Sequence, residues 1–374
     1  MSELPPGASA ILSIDLAALV ENWRRLQDRA APARAAAVVK ANGYGLGVEP
    51  IATALRDAGC EMFFVAHPRE GADARAALGP GPRIFVLNGF QVGADGQRDY
   101  AEHGLSPAIG SEEELARWKA SNPRSPFALH LDTGMNRLGF ESLDALLGAL
   151  ARHGRDGAEL LMSHFVSSEE PANPINAIQI KRFNRARAAL NLPATLANSS
   201  GVFLPDAPCD WIRPGYALYG GNPTPDEANP MRAVASLDVA IQQTRWISAG
   251  DACGYNSLWT AKRRTRLATL LAGYADGLPR TAGATDSRHG AEVLIGGRRC
   301  PLVGRVSMDL TIADVTDAPP EASAPGALAR FFGPDLPLDD FAARCGTIGY
   351  NVLTSLGPRY ARVILPAEGN VAPL

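Results

Sequence analysis

The chain has 374 residues, of which 46% are hydrophobic and 20% charged, and its formal net charge at pH 7 is −3. This composition can form a buried core and excludes a disordered chain, and the length suits two domains better than one. The slightly negative charge argues against an electrostatic nucleic-acid surface. The apolar runs are too short to span a membrane, and the opening MSELPPGASA lacks the pattern of a signal peptide. We therefore expect a cytoplasmic protein without a nucleic-acid or membrane partner.

The cysteines and histidines do not have the spacing of a metal site or of a disulfide framework. The five cysteines never form a C-x-x-C pair, and the six histidines show neither H-E-x-x-H nor H-x-H spacing. The basic residues are strongly biased towards arginine, because only four of the 36 are lysines: Lys40, Lys119, Lys181 and Lys262. A lysine in an apolar segment of such a chain points to a chemical role.

Residues 35–220 alternate between short apolar runs and longer amphipathic runs. The short runs predict strands at 35–40, 62–66, 84–87, 106–109, 127–131, 159–164, 195–198 and 211–213. The longer runs predict helices, among them 48–58, 112–120, 143–152 and 175–190. Eight strands that alternate with helices over roughly 200 residues favour an α/β fold of the (β/α)8 TIM-barrel type over an open doubly wound sheet.

A turn-rich segment, GGNPTPDEANP at 220–230, interrupts this pattern. The residues beyond it predict a mainly-β domain, with strands at 235–242, 265–272, 292–295, 310–315 and 362–365 and a helix at 339–344. We therefore expect two domains, a barrel within 1–233, preceded by a short N-terminal segment, and a β domain at 234–374.

Lys40 ends the first predicted strand, in AVVKANGYGLG. The carboxyl ends of barrel strands form the rim on which barrel active sites are built. A lysine that leaves an Ala/Val strand is partly desolvated, which lowers its pKa and favours Schiff-base chemistry. The alternative is a strand-end lysine that extends into solvent. The glycines that follow do not have the G-x-G-x-x-G spacing of a dinucleotide site.

Polar residues follow the other predicted strands at the same rim: Arg137 after the fifth, His164 at the end of the sixth, Ser199 after the seventh and Arg213 after the eighth. Loops after strands seven and eight are the usual phosphate site of barrels. Each residue alone could be structural, as a core histidine, an ion-pair partner or a helix cap. Together they predict an anion-binding active site, and from the residues alone a cofactor-free phosphosugar barrel is the rival interpretation.

Seven motifs occur in order across both predicted domains: AVVKANGYGLG, HLDTGMNRLGF, NSSG, RPGYALYGGNPTP, AGYADGLPR, VGRVSMD and IGYNVLTSLGPR. The chain thereby resembles the alanine racemases, fold-type III enzymes that depend on pyridoxal 5′-phosphate (PLP). The resemblance implies a (β/α)8 barrel followed by a β domain, a head-to-tail homodimer and the interconversion of L-alanine and D-alanine, a small amino-acid substrate.

The resemblance also implies which residues hold the cofactor. Lys40 matches the lysine joined to PLP through a Schiff base, and Arg213 matches the arginine that faces the pyridine nitrogen. A guanidinium keeps its proton there, which is expected to favour racemisation over transamination. The phosphate cradle is matched by Tyr44, Ser199, the backbone at Gly215 and Tyr216, and Tyr350.

Further residues are implied to bind and convert the substrate. Arg137 matches the arginine near the PLP phenolic oxygen and the substrate carboxylate, which the Met308 backbone also binds. Tyr255, from the partner subunit, is the implied base on the face of Cα opposite Lys40. Because a phenol with a pKa near 10 is a poor base at about pH 7, positive charge near Tyr255 is required, and His164, beside the cofactor, and Arg213 are expected to supply it. Two supporting residues complete the set: Asp309, beside Met308, and Tyr274, at the access corridor.

Three positions depart from the family pattern. His130 stands where many members have a lysine whose carbamate orients the arginine matched by Arg137. Histidine cannot form that stable carbamate, so we expect a bound anion or a nearby carboxylate in its place. Leu46 replaces a common histidine and Asn351 a common glutamate. A racemase of other or broader specificity, a fold-type III decarboxylase and a non-catalytic PLP-binding barrel stay open as alternatives. The choice between D-alanine supply for peptidoglycan and alanine catabolism stays open as well.

Overall fold

The computed structural model describes residues 4–90, 94–122, 124–207 and 209–366. The chain divides into two compact units, a barrel unit of Leu19–Met231 and a β unit that joins Met1–Ala18 to Arg232–Leu374. From the sequence we expect the first residues within the barrel domain, 1–233. They group with the β unit because residues 10–15 form a strand of its sheet.

Parallel strands of the barrel unit form a closed ring. Seven of them pair side by side in chain order. The eighth, Trp211–Ile212, pairs in parallel with Arg34–Ala35, and the Arg213 N–H donates to the Ala197 carbonyl at 2.8 Å. The predicted (β/α)8 barrel is confirmed. Its strands are Arg34–Ala35 continued by Ala37–Val38, Met62–Val65, Arg83–Val86, Leu105–Ile109, Phe127–His130, Ala158–Met162, Ala194–Thr195 and Trp211–Ile212.

The apolar composition of these segments explains why they lie inside the ring of helices. All four residues of Met62–Val65 are buried, as expected for parallel strands covered on both faces. The helices bury one side only, and Val48–Asp57 does so with Ile51, Ala52 and Leu55. Within the described part of the chain, no helix has the length and apolar character needed to cross a membrane. Besides Leu16–Ala30, the long helices up to residue 231 are Val48–Asp57, Pro68–Leu78, Ala94–Glu102, Glu112–Ser121, Leu143–His153 and Pro174–Leu190.

The β unit is organised around one long strand, Ala235–Ile247. It pairs antiparallel with Ala10–Asp15, Leu328–Phe332 and Thr265–Leu270. The predicted mainly-β character is confirmed. Its other strands are Ala252–Cys253, Trp259–Thr260, Glu292–Ile295, Arg298–Pro301, Thr311–Asp314 and Ala361–Leu365, and its helices include Leu338–Arg344 and Gly349–Thr354.

Candidate active site

Lys40 leaves the carboxyl end of the first barrel strand and begins an unusual turn. The next four residues, 41–44, have φ angles of 53°, 54°, 61° and 53°. This left-handed conformation is strained for every residue except glycine, and only Gly43 among the four is one. Burial, followed by the charges of Arg137 and Arg213, lowers the pKa of the Lys40 amine, whereas the Glu70 carboxylate raises it. The predicted desolvated lysine is therefore present at the rim.

Arg213 follows the eighth strand and is buried. Its Nη1 donates to the Thr195 carbonyl at 2.9 Å and to Thr195 Oγ1 at 2.8 Å, and its Nη2 donates to the Ser163 carbonyl at 2.6 Å. Burial lowers the pKa of the guanidinium to about 10, so Arg213 remains a cation at neutral pH. Its hydrogen-bond acceptors are neutral, and no described carboxylate forms an ion pair with it.

His164 lies beside Arg213, with Nδ1 3.5 Å from Arg213 Nη2. Arginine can only donate, so Nδ1 is the acceptor and the imidazole is neutral. Burial, then the charges of Arg213, Arg137 and Lys40, lower the pKa of His164 to about 3. We expected positive charge from both His164 and Arg213, and in this chain only Arg213 carries it at neutral pH.

Three residues of the predicted phosphate cradle lie close together: Ser199, Gly215 and Tyr44. Ser199 Oγ accepts hydrogen bonds from the backbone N–H groups of Gly215 and Ala217, both at 3.1 Å. A Cβ at Gly215 would lie 2.2 Å from Tyr44 Oη, so glycine is required for this approach. Tyr44 is buried and stacks on Tyr219 with ring centroids 4.5 Å apart. Burial raises the pKa of the Tyr44 hydroxyl, which keeps it a hydrogen-bond donor.

Tyr216 depends on a second glycine. The Tyr216 ring occupies the space that a side chain at Gly221 would take, because a Cβ there would lie 2.0 Å from the ring. Tyr216 is buried, and its carbonyl accepts from the Gly221 N–H at 3.2 Å. The RPGYALYGG motif therefore holds this tyrosine through backbone geometry as well as through packing.

These residues fit PLP. The charges of Arg137 and Arg213 both act on Lys40, and neither arginine forms an ion pair with a carboxylate of the described residues. A phosphate and a phenolic oxygen would supply the negative charge that this cluster lacks. Lys40 would hold the cofactor, Ser199 and Gly215 its phosphate, and Arg213 its pyridine nitrogen.

His130, on the fifth strand, is the residue for which the resemblance implies a carbamylated lysine in many family members. It is 8% exposed, and its Nδ1 has no hydrogen-bond partner among the described residues. Burial, then the charge of Arg213, lowers its pKa to about 4, so the imidazole is neutral near pH 7. The expected carboxylate partner of Arg137 is not found within the described part of the chain, and a bound anion there stays a prediction.

The β unit carries the other predicted residues. Tyr255 starts a short turn between the strands Ala252–Cys253 and Trp259–Thr260, and its side chain is 61% exposed. Tyr274 and Met308 are also exposed. Tyr350 lies on the helix Gly349–Thr354.

Backbone hydrogen bonds tie the GYADG and SMD motifs together. The Tyr274 N–H donates to the Ser307 carbonyl at 3.0 Å, and the Ala275 N–H donates to the Met308 carbonyl at 2.9 Å. Gly273 permits this approach, because a Cβ there would lie 2.3 Å from the Met308 carbonyl oxygen. Exposed Met308 and Tyr274 therefore keep a fixed relative position.

One arginine reinforces the same arrangement. Arg359 Nε lies 2.6 Å from the buried Asp276 carboxylate of GYADG, and Arg359 Nη1 lies 2.7 Å from Asp309 of SMD. Asp276 Oδ2 also accepts from the Gly273 N–H at 2.8 Å. Asp309, predicted as a supporting residue, thus acts through Arg359.

Sequence reasoning missed Arg359 and Glu70. Arg359 ends the IGYNVLTSLGPR motif, but its partners Asp276 and Asp309 lie 83 and 50 residues earlier. Glu70 had a local signal, because proline at the first and glutamate at the third position of a helix are typical of a capped N-terminus. That signal predicts the helix start but not the hydrogen bond that Glu70 Oε1 accepts from the Ala41 N–H at 2.7 Å.

Comparison with known proteins gives the same family for both units. A model of the alanine racemase N-terminal domain matches residues 14–223, and one of the C-terminal domain matches residues 234–364. An alanine racemase of Methylobacterium nodulans is 51% identical over 360 residues, which cover 94% of this chain and 95% of that protein. The crystal structure of alanine racemase from Bartonella henselae with covalently bound pyridoxal phosphate has a TM-score of 0.88 and 36% identity, and covers 96% of this chain and 100% of that one. The crystal structure of biosynthetic alanine racemase from Pseudomonas aeruginosa has a TM-score of 0.86 and 34% identity, and also covers 96% of this chain and 100% of that one. This chain belongs to the alanine racemase family.

Proposed function

We propose that this chain interconverts L-alanine and D-alanine with PLP as its cofactor. The observation that supports this most is the Lys40 amine, which lies at the barrel rim and has a pKa lowered by burial and by the charges of Arg137 and Arg213. Neither arginine forms an ion pair with a described carboxylate. A racemase that uses PLP needs such a lysine for the Schiff base, and the relatives of this chain at about 50% identity are named alanine racemases.

Lys40 and Arg213 of the barrel unit have different roles in the proposed reaction. PLP, when bound, withdraws electrons from the Cα of an amino acid and so acidifies its α-proton. Lys40 Nζ can take or return that proton on one face, because its lowered pKa makes the neutral amine accessible. Arg213, with a pKa of about 10, keeps its proton and donates only a hydrogen bond.

The second face of Cα requires a second group, and we assign it to Tyr255 of the partner subunit in a head-to-tail homodimer. Tyr255, Tyr274, Met308 and Ile348 of the β unit are all exposed in the single chain. Tyr274 and Met308 lie on segments joined by backbone hydrogen bonds, and a contiguous exposed apolar patch is typical of a surface that another protein covers. In such a dimer Met308 and Arg137 would bind the substrate carboxylate, and the covered site would exclude water.

Substrate range and biological role are inferred from two tyrosines and from the names of relatives. The bulky side chains of Tyr274 and Tyr350 favour a small substrate, so we propose alanine over a broader range. Relatives named biosynthetic and catabolic match at 42% and 44% identity. We propose a cytoplasmic enzyme that can serve D-alanine supply for peptidoglycan, with catabolism as the second candidate role.

Borohydride reduction followed by peptide mapping tests the cofactor assignment. The pyridoxyl group should be found on the peptide that contains Lys40. The other lysines, Lys119, Lys181 and Lys262, are controls within the same digest and should stay unlabelled. A label on one of those three, or no label, would contradict the assignment. A chiral assay of the purified protein with each L-amino acid then tests alanine against a broader substrate range.

A further inference from the structure

Glu70 joins the ends of the first two barrel strands. It occupies the third position of the helix Pro68–Leu78, where a carboxylate caps the N-terminus. Its Oε2 accepts from the Ala66 N–H at 2.7 Å, at the end of the second strand. Its Oε1 accepts from the Ala41 N–H, also at 2.7 Å, which is the first peptide group after Lys40. We call this pair of contacts the Glu70 bridge.

Glu114 makes the same pair of contacts two strands further on. It occupies the third position of the helix Glu112–Ser121. Its Oε2 accepts from the Gly110 N–H at 2.7 Å, at the end of the fourth strand, and its Oε1 accepts from the Phe90 N–H at 3.1 Å, in the loop that follows the third. The Glu114 bridge is therefore a structural copy of the Glu70 bridge, and its loop carries no lysine.

The loop bound by Glu70 needs such a contact. Ala41, Asn42 and Tyr44 have positive φ angles, a region that residues other than glycine adopt only at a cost in backbone strain. A hydrogen bond from a backbone N–H to a carboxylate is charge-assisted and is among the stronger ones in proteins. The hydrogen bond to the Ala41 N–H fixes the orientation of the peptide group that directly follows Lys40, and so restrains the Lys40 backbone.

We propose that Glu70 is a positioning residue for Lys40, which it serves by holding the left-handed turn through the Ala41 N–H. The proposal rests on the proposed function, in which Lys40 holds PLP and moves the α-proton. The Glu70 carboxylate also acts on the amine directly, because its negative charge raises the pKa of Lys40 against the effects of burial and of Arg137.

Hydrogen–deuterium exchange of the holoenzyme tests the positioning role. In Glu70→Gln the amides of 41–44 should exchange about tenfold faster or more, since a charge-assisted hydrogen bond is lost. Glu114→Gln is the matched control and should accelerate exchange at Phe90 while 41–44 exchange as in the wild type. Unchanged exchange at 41–44 in Glu70→Gln would overturn the proposal.

The pH dependence of cofactor attachment separates positioning from a general loss of stability. PLP is removed from the full chain, added back at a series of pH values, and its covalent attachment is followed by absorbance. The midpoint of the rate profile should move to lower pH in Glu70→Gln, because the charge that raises the pKa of Lys40 is gone. It should stay at the wild-type value in Glu114→Gln. Equal midpoints in the two variants would overturn the proposal.

Glu70→Asp keeps the charge but is too short to reach both N–H groups. It should leave the pH midpoint near the wild-type value and still accelerate exchange at 41–44, and it takes the place of Glu70→Gln if that variant does not fold. Wild-type exchange in Glu70→Asp would contradict the positioning role. Borohydride labelling of the wild type distinguishes failure of the proposed function from failure of the Glu70 role. If Lys40 is not labelled, the proposed function fails as well. If Lys40 is labelled and the Glu70 and Glu114 variants are indistinguishable, only the role of Glu70 is overturned.

Discussion

His130 should make the barrel unit sensitive to acid. Its folded-state pKa is lowered to about 4 from a reference of 6.5, mainly because burial disfavours the imidazolium. Above pH 6.5 the imidazole is neutral in both the folded and the unfolded chain and has no effect on stability. As the pH falls below 6.5, the unfolded chain binds a proton that the folded chain does not, so stability is lost down to the folded pKa.

The size of this effect follows from the shift of 2.5 pKa units, the difference between 6.5 and about 4. At 1.36 kcal/mol per unit the full loss is about 3 kcal/mol, of which about 2 kcal/mol is already lost near pH 5. His130→Asn removes the titrating group. Although that variant will be less stable at neutral pH, it should lose less stability than the wild type between neutral pH and about pH 5.

Urea unfolding of the cofactor-free chain at several pH values measures the difference, because cofactor release then does not contribute to the transition. His289→Asn is the control, since His289 is exposed and its substitution should leave the wild-type pH dependence unchanged. If the wild type and His130→Asn lost stability in parallel, His130 would not be a buried neutral imidazole and the reasoning would be refuted.

Three further predictions concern the site. Activity should not depend on dissolved CO2, and the peptide that contains His130 should have its unmodified mass; an activity that falls when CO2 is removed would contradict this. Gly215→Ala should weaken PLP retention by about tenfold or more, because its Cβ would displace the Tyr44 hydroxyl. Gly148→Ala, on the helix Leu143–His153, should retain PLP normally, because a Cβ there would meet only the end of the Arg152 side chain, at 3.4 Å; equal retention in both variants would count against the cradle. Arg359→Met should raise the KM for alanine roughly tenfold while kcat changes less, since it frees the loop that carries Met308; a loss confined to kcat would argue against a role in carboxylate binding.

The barrel could be predicted from the sequence because each of its strands is a continuous apolar run, which is visible locally without knowledge of the strand's partners. The run predicted at 62–66 is the strand Met62–Val65. The strand Ala10–Asp15 was missed because its partner, Ala235–Ile247, begins more than 200 residues later. Its membership of the β unit depends on that pairing and leaves no local pattern.

The same distinction applies to the candidate site. Lys40 and Arg213 could be predicted because each directly follows a strand, and strand ends share one rim. The charge state of His164 could not, because burial and three neighbouring cations determine it. The roles of Glu70 and Arg359 could not be predicted either, since each is defined by partners far away in the chain.

We expect each active site to combine Lys40 of one subunit with Tyr255 of the other, and the activity of a mixed dimer measures this. Homodimers of Lys40→Ala and of Tyr255→Phe should both be nearly inactive. A heterodimer of the two variants has one site with neither group and one with both, so it should recover up to about half of the wild-type activity. Isolated heterodimers that bind PLP and stay as inactive as the two parents would contradict the claim.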